Sequence, residues 1–207
     1  MSNNLTADEA LARLREGNRR FASNVRSLEA MLSQARRAEL VKEHAPFAIV
    51  LGCSDSRSPA EAIFDQGLGD LFVIRVAGNI VAPSQIGSVE FAAEKFGVRL
   101  VVVMGHTCCG AIDATIDALI APDAVISPGL SSIIDRVRPA VATLMETSLV
   151  ADREALAHAS IRANVRASVD HLRHGSPLLE RLCRTDGLRV VGAEYSLDSG
   201  LVDLFEV

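Results

Sequence analysis

Pro46-Phe47-Ala48-Ile49-Val50-Leu51-Gly52-Cys53-Ser54-Asp55-Ser56-Arg57 is an apolar run that ends in a thiol, a carboxylate and a guanidinium. The apolar part reads as a buried strand. After it, Ser58 is placed to cap a helix, Pro59 suits its first position and Glu61 completes a capping box. The polar residues then sit in a short loop between a strand and a helix N-terminus, the end of the strands where open α/β sheets form ligand sites. Leu100-Val101-Val102-Val103-Met104-Gly105 ends in the same way, in His106-Thr107-Cys108-Cys109-Gly110, with a helical pattern from Ala111 to Ile120.

Cys53 and Asp55 are two apart, and His106 and Cys109 three apart. At the ends of two neighbouring strands, such spacings bring four metal-capable side chains to one point. Two thiolates, an imidazole and a carboxylate favour zinc among the common metals. Asp55 has two possible positions. As a fourth ligand it closes the site, as in a structural zinc; paired with the permanently charged fork of Arg57 it withdraws and leaves one coordination position open, as in a catalytic one. Cys108, adjacent to Cys109, should point elsewhere, and Cys183, in a polar helix-like segment, reads as structural.

Cys-x-Asp-Ser-Arg followed some fifty residues later by His-x-x-Cys-Gly resembles the β-class carbonic anhydrases. The flanking segments Phe64–Val73, Arg75–Asn79 and Gly87–Ala92 resemble them too, and the likeness runs from Glu16-Gly17-Asn18 to the last strand. It implies one Zn2+ per chain and reversible hydration of CO2 to bicarbonate and a proton, by a zinc-bound hydroxide that Asp55 and Arg57 orient. It also implies a homodimer or homotetramer, an N-terminal helical arm (1–45) lying across the partner subunit, and a sheet-containing core (46–207). The implied substrate pocket takes Phe72, Ala77 and Phe91 as apolar walls, partly across a dimer interface, with Gly78 and Gly110 allowing close backbone approach. Phe91 stands where many relatives have Tyr. His44 stands where they commonly have a substrate-orienting Gln, and reads either as a donor or proton carrier or as an exposed histidine at a helix end. Some relatives inhibit themselves through a bicarbonate pocket that uses a Trp shortly before the motif cysteine; Val50 is there in this chain, which argues against that device. Two other classes stay open: a related zinc hydrolase of carbonyl sulfide or carbon disulfide, and a non-catalytic zinc-stabilised protein.

Composition sets the outer limits. A chain of 207 residues, 49% hydrophobic, fits one α/β domain with a sizeable core filled mainly by Ala, Val, Leu and Ile, since aromatics are 4% and Trp is absent. A net charge of -5 argues against a nucleic-acid surface. No apolar segment approaches the ~20 residues of a membrane helix. Met1-Ser2-Asn3-Asn4 does not begin a signal peptide, and cysteines at 53, 108, 109 and 183 do not form a disulfide framework, so the expected location is cytoplasmic.

Two helices are expected in 5–42, the first capped by Thr6 with Glu9 and the second at about 28–43. Strands are expected at about 46–52, 71–76, 100–105 and 188–195, with helices at about 59–66, 84–96, 110–120, 130–147 and 152–174. A hairpin through Asp198-Ser199-Gly200 should return 201–205 as an antiparallel edge strand. The fold class that results is a central, mostly parallel sheet flanked by helices.

Overall fold

The computed structural model describes residues 5–28, 37–42 and 44–206. Helix α1 (Ala7–Ala22) begins with the expected capping box. Glu9 N donates to the Thr6 hydroxyl at 3.3 Å, and Thr6 N donates to the Glu9 carboxylate at 2.8 Å. Of the second expected helix, the described residues show Leu28 as helical and a turn, α2 (Arg37–Leu40); residues 29–36 and 43 lie outside the described residues.

The core then alternates as the apolar runs require. In order come β1 (Ala48–Gly52), α3 (Ala60–Ile63), β2 (Leu71–Arg75), a 3-10 turn (Ala77–Asn79), α4 (Pro83–Lys95), β3 (Leu100–His106) and α5 (Gly110–Ile120). They are followed by α6 (Pro128–Met145), a second 3-10 turn (Ser148–Ala151), α7 (Arg153–His174), α8 (Pro177–Thr185), β4 (Arg189–Tyr195) and β5 (Val202–Phe205). The sheet order is β2-β1-β3-β4-β5, parallel throughout except for β5, which pairs antiparallel with β4. Every residue of β1 and β3 is buried, which is why these strands read as continuous rather than alternating apolar runs. One face of the sheet is covered by α4, α7 and α8 (Val89, Val165, Val169, Leu179), the other by α1 and α3 (Leu11, Leu14, Ile63, Phe64). Among the described residues no helix is long and apolar enough to cross a membrane.

One expectation needs correction, and two further features extend the reading. Ser58 does not cap α3: its hydroxyl donates to the Asp55 carbonyl at 3.1 Å, Pro59 takes the N-cap position, and no side chain caps the helix. The turn after β1 is therefore closed on itself before the helix starts. Helix α1 packs on its own chain, with Ala10, Leu11 and Leu14 buried against Val50, Met104 and Phe64. Gly17 explains how close this contact is, since a Cβ there would overlap the Phe64 carbonyl. Asn18, next to it, donates to Ile63 O (3.2 Å) and Gly200 O (2.9 Å) and accepts from Val202 N (2.8 Å), so one amide joins α1 to α3 and to the edge hairpin. Finally, a helix, α8, stands where only a helix-like segment was expected, with Ser176 accepting from Leu179 N at its start.

The loop after α3 is held by Asp65, whose side chain is fully buried. Its carboxylate faces Arg20 at 2.6 Å and Arg26 at 3.0 Å and accepts from Ser27 N at 2.9 Å. Burial alone would raise its pKa; the contacts with Arg20 and Ser27 outweigh that and hold it below the ordinary value. Asp65→Ala strips these cations of their buried partner and is expected to cost about 3 kcal/mol in urea unfolding. Because the folded-state pKa is depressed, this contribution is complete above the unfolded value of about 3.9 and is lost as pH falls below it. The gap between wild type and variant should therefore close in acid.

Candidate metal centre

The site forms where the sheet changes direction. From β1 the chain proceeds to β2 on one side and then returns to β3 on the other, so the C-terminal ends of β1 and β3 adjoin at a topological switch point. Their register pairs Gly52 with Met104. Cys53, the next residue of one strand, and His106, the last of the other, therefore arrive together. Cys109 occupies the N-cap of α5. The donor atoms of Cys53, His106 and Cys109 all lie within 4.8 Å of one another, and all three residues are buried.

The donor set fits a zinc ion. His106 Nδ1 is 2.9 Å from Thr107 O, which can only accept, so the ring proton sits on Nδ1 and Nε2 presents a bare lone pair. That Nε2 is buried and has no hydrogen-bond partner, a cost that a metal ion removes. The sulfurs face groups that favour thiolate. Cys53 Sγ accepts from Gly78 N at 3.4 Å and from the Asp55 amide. Cys109 is met by the amides of Ala111 and Ile112 at the positive end of α5. The two thiols face each other and pull each other's pKa in opposite directions. Donation from Cys109 pulls Cys53 down to about 4, and the same contact, with burial, pushes Cys109 up.

Asp55 is paired with Arg57 and stands outside the group of three donors. Arg57 Nε donates to Oδ1 at 3.0 Å and Nη2 to Oδ2 at 2.8 Å, while Arg57 N also reaches Oδ1 at 2.9 Å. The guanidinium holds the carboxyl far below the usual carboxylate range. Oδ2 nonetheless stands 3.9 Å from His106 Nε2, at the margin of the three donors. Arg57 Nη2 also donates to Cys108 O at 3.2 Å, so the dyad bridges the two strand-end loops. Cys108 itself is exposed, at a left-handed φ of 56°, outside the metal-capable group.

The residues expected to line a substrate pocket divide into two sets. Ala77 and Gly78 form the 3-10 turn against Cys53. Gly110 follows Cys109 and opens α5, and a Cβ there would meet no other atom of this chain within 4 Å. Phe72, Phe91 and His44 lie elsewhere. Phe72 pairs with Ile49, four residues or about 13 Å of strand back from Cys53. Its ring is 6.2 Å from Phe91 and 6.2 Å from Phe96, and the exposed His44 ring is 4.7 Å from Phe96. Phe91 is 53% exposed. Within one chain, then, the aromatic set forms a surface cluster of its own, with Phe96 a member that the sequence did not suggest.

Arg75 was also not singled out. From the end of β2 its Nε donates to Cys53 O at 3.1 Å and its Nη2 to Asp55 O at 2.6 Å, clamping the loop backbone that carries both side chains. The signal was its place at the head of the Arg75–Asn79 segment.

A family model described as carbonic anhydrase matches residues 48–202. Carbonic anhydrase 2 of Mycobacterium tuberculosis is 36% identical over 190 residues, 90% of this chain and 87% of that protein. A carbonic anhydrase of Mycolicibacterium smegmatis is 36% identical over 191 residues, 92% and 89% of the two. Among solved structures, one from a study of two tetrameric β-carbonic anhydrases of Sordaria macrospora superposes with a TM-score of 0.75 at 24% identity, covering 93% of this chain and 94% of that one.

Loss of any one of the three donors should remove the metal. Cys53→Ser, His106→Ala and Cys109→Ser are each expected to lower zinc affinity by more than the ~10–100-fold that loss of a supporting hydrogen bond costs. Zinc content after dialysis against a weak chelator measures this, and retention of stoichiometric zinc by any of the three would remove that residue from the site.

Proposed function

The chain belongs to the β-class carbonic anhydrase family, zinc enzymes of CO2 hydration, and from that premise we propose how its own residues divide the work. Cys53, His106 and Cys109 hold the zinc ion, which when bound supplies the Lewis acidity that makes water a nucleophile near neutral pH. Asp55 accepts a hydrogen bond from the attacking water and turns a lone pair toward CO2. As an ionised carboxylate it offers acceptors alone, so it can fix that orientation in one sense only. Arg57 keeps the carboxylate ionised and off the metal. The observation that carries this reading is the bidentate Asp55–Arg57 pair with Oδ2 still 3.9 Å from His106 Nε2. The carboxylate is near enough to order a water there and is prevented from taking its place.

Ala77 and Gly78 then form the wall nearest the metal. His44, Phe72 and Phe91 serve a pocket across a subunit interface, because in their own chain they cluster away from the three donors and leave Phe91 and His44 exposed. Self-association as a dimer, or as a tetramer built from two dimers, covers that apolar face. The Sordaria macrospora proteins are described as tetrameric.

Stopped-flow CO2 hydration on zinc-loaded protein, from about pH 6.5 to 9 to span the titration of a metal-bound water, tests the assignment. Turnover should rise with pH, and Asp55→Asn and Arg57→Ala should each lose about 100-fold or more while retaining zinc. Dyad variants as fast as wild type would overturn the roles given to Asp55 and Arg57. A zinc-loaded chain silent with CO2 but active on carbonyl sulfide would move the substrate.

A further inference from the structure

Cys53 is supported from behind by a turn that its own backbone closes with one hydrogen bond, from Asn79 N to Val76 O at 3.0 Å. Gly78, which donates its N–H to Cys53 Sγ, sits at φ 69° and ψ 17°, inside the Ala77–Asn79 turn. A Cβ at Gly78 would stand 3.1 Å from Ala111 Cβ and 3.4 Å from Val137 Cγ2, so the backbone here is pressed against α5 and α6 in a conformation that suits glycine. The next residue, Asn79, is also left-handed, at φ 43°. Two consecutive residues in that region are costly for a chain to maintain and persist where neighbours fix them.

The neighbours are two polar side chains of α7, one helical turn apart. Asn164, 2% exposed, donates through Nδ2 to Gly78 O at 2.8 Å, and Ser168, 5% exposed, donates through Oγ to Asn79 O at 3.1 Å. Neither contact is explained by helix packing, since α7 otherwise buries Leu156, Ile161, Val165 and Val169 against the sheet and the helices beside it. Polar side chains at such positions are retained where their hydrogen bonds are made. Ser160, one turn before Asn164, is buried too, but its hydroxyl has no hydrogen-bond partner.

We propose that Asn164, assisted by Ser168, is a positioning residue for the metal ligand Cys53: by fixing the Ala77–Asn79 turn it aims the Gly78 N–H at the sulfur and so limits the charge this thiolate gives to a bound metal ion. This rests on Cys53 being a ligand. The physical consequence is specific to a site with two thiolates. Each sulfur donates more charge than an imidazole, which weakens the ion as a Lewis acid; an N–H directed at the sulfur takes back part of that charge. Groups behind a ligand tune a metal in this way.

The test uses the full-length protein loaded with Co2+ in place of zinc, since the thiolate-to-cobalt charge-transfer band reports the electron richness of the sulfurs directly. Asn164→Leu, close in volume but without a donor, is compared with Ser160→Ala, which alters the same helix without touching the turn. The expected result is a band shifted to lower energy in Asn164→Leu and unmoved in Ser160→Ala, with zinc affinity lowered about 10-fold in the former. An unshifted band in Asn164→Leu, whatever its stability, would show that Asn164 only packs. If that variant does not fold, Ser168→Ala is measured instead; a smaller shift in the same direction supports the proposal and an unmoved band overturns it. A wild-type chain that takes up no cobalt overturns both the metal assignment and this inference.

Discussion

The pairing of β1 with β3 is the constraint on which the site depends. Cys53 and His106 are 53 positions apart in sequence, and what brings them together is the register that sets Gly52 beside Met104. A slip of two residues would preserve which side chains face which layer, yet it would carry the thiol about 7 Å along the strand, beyond the span of any metal-ligand set. The register is held by burial on both faces. β1 and β3 lie between the α1/α3 layer and the α4/α7/α8 layer, with every residue buried, so a displaced strand would have to repack two cores at once. The geometry at the strand ends is thus fixed by Val, Ile and Leu well below it.

At those strand ends charge is arranged in two compartments. The two sulfurs are buried, and what faces them is backbone: the amides of Gly78 and Asp55 at Cys53, and those opening α5 at Cys109. Backbone donors stabilise negative charge without adding a full positive one, so a divalent cation can still bind. The carboxylate, by contrast, has a guanidinium, which offsets a whole charge and does so at every accessible pH. Exchanging the two arrangements would defeat both. An arginine on the sulfurs would compete with the metal, and a carboxylate held only by amides would be free to join it.

The sequence made most of this legible where chemistry and secondary structure coincide. The runs 46–52 and 100–105 marked the central strands because strands covered on both sides carry no polar residues to confuse them with anything else, and Cys53, Asp55, Arg57, His106 and Cys109 stood at their ends. What escaped was determined by three-dimensional neighbours. Ser58 has the right spacing for a capping box, but the turn it sits in offers Asp55 O first. Asn164 and Ser168 are unremarked polar residues of a long helix until a turn some 86 residues earlier in the chain is seen to need their donors. Phe72 and Phe91 were assigned by resemblance to a pocket partly across a dimer interface; that Phe72 lies four residues down the sheet from Cys53 follows from strand register, which the sequence does not print.

The same division separates what is buried in the site from what is exposed. Cys53, His106 and Cys109 are buried and anchored by strand, helix N-terminus and clamped turn, whereas Arg57 is 54% exposed and ties Asp55 to Cys108 O across open loops. An exposed ion pair is individually weak, and this one is kept in place by having several hydrogen bonds to two loops at once. Its strength is therefore a property of how the loops are held, by Arg75 on the carbonyls of Cys53 and Asp55 and by the left-handed turn at Cys108. The place the carboxylate takes beside the metal donors is thus decided less by the dyad itself than by the backbone that presents it.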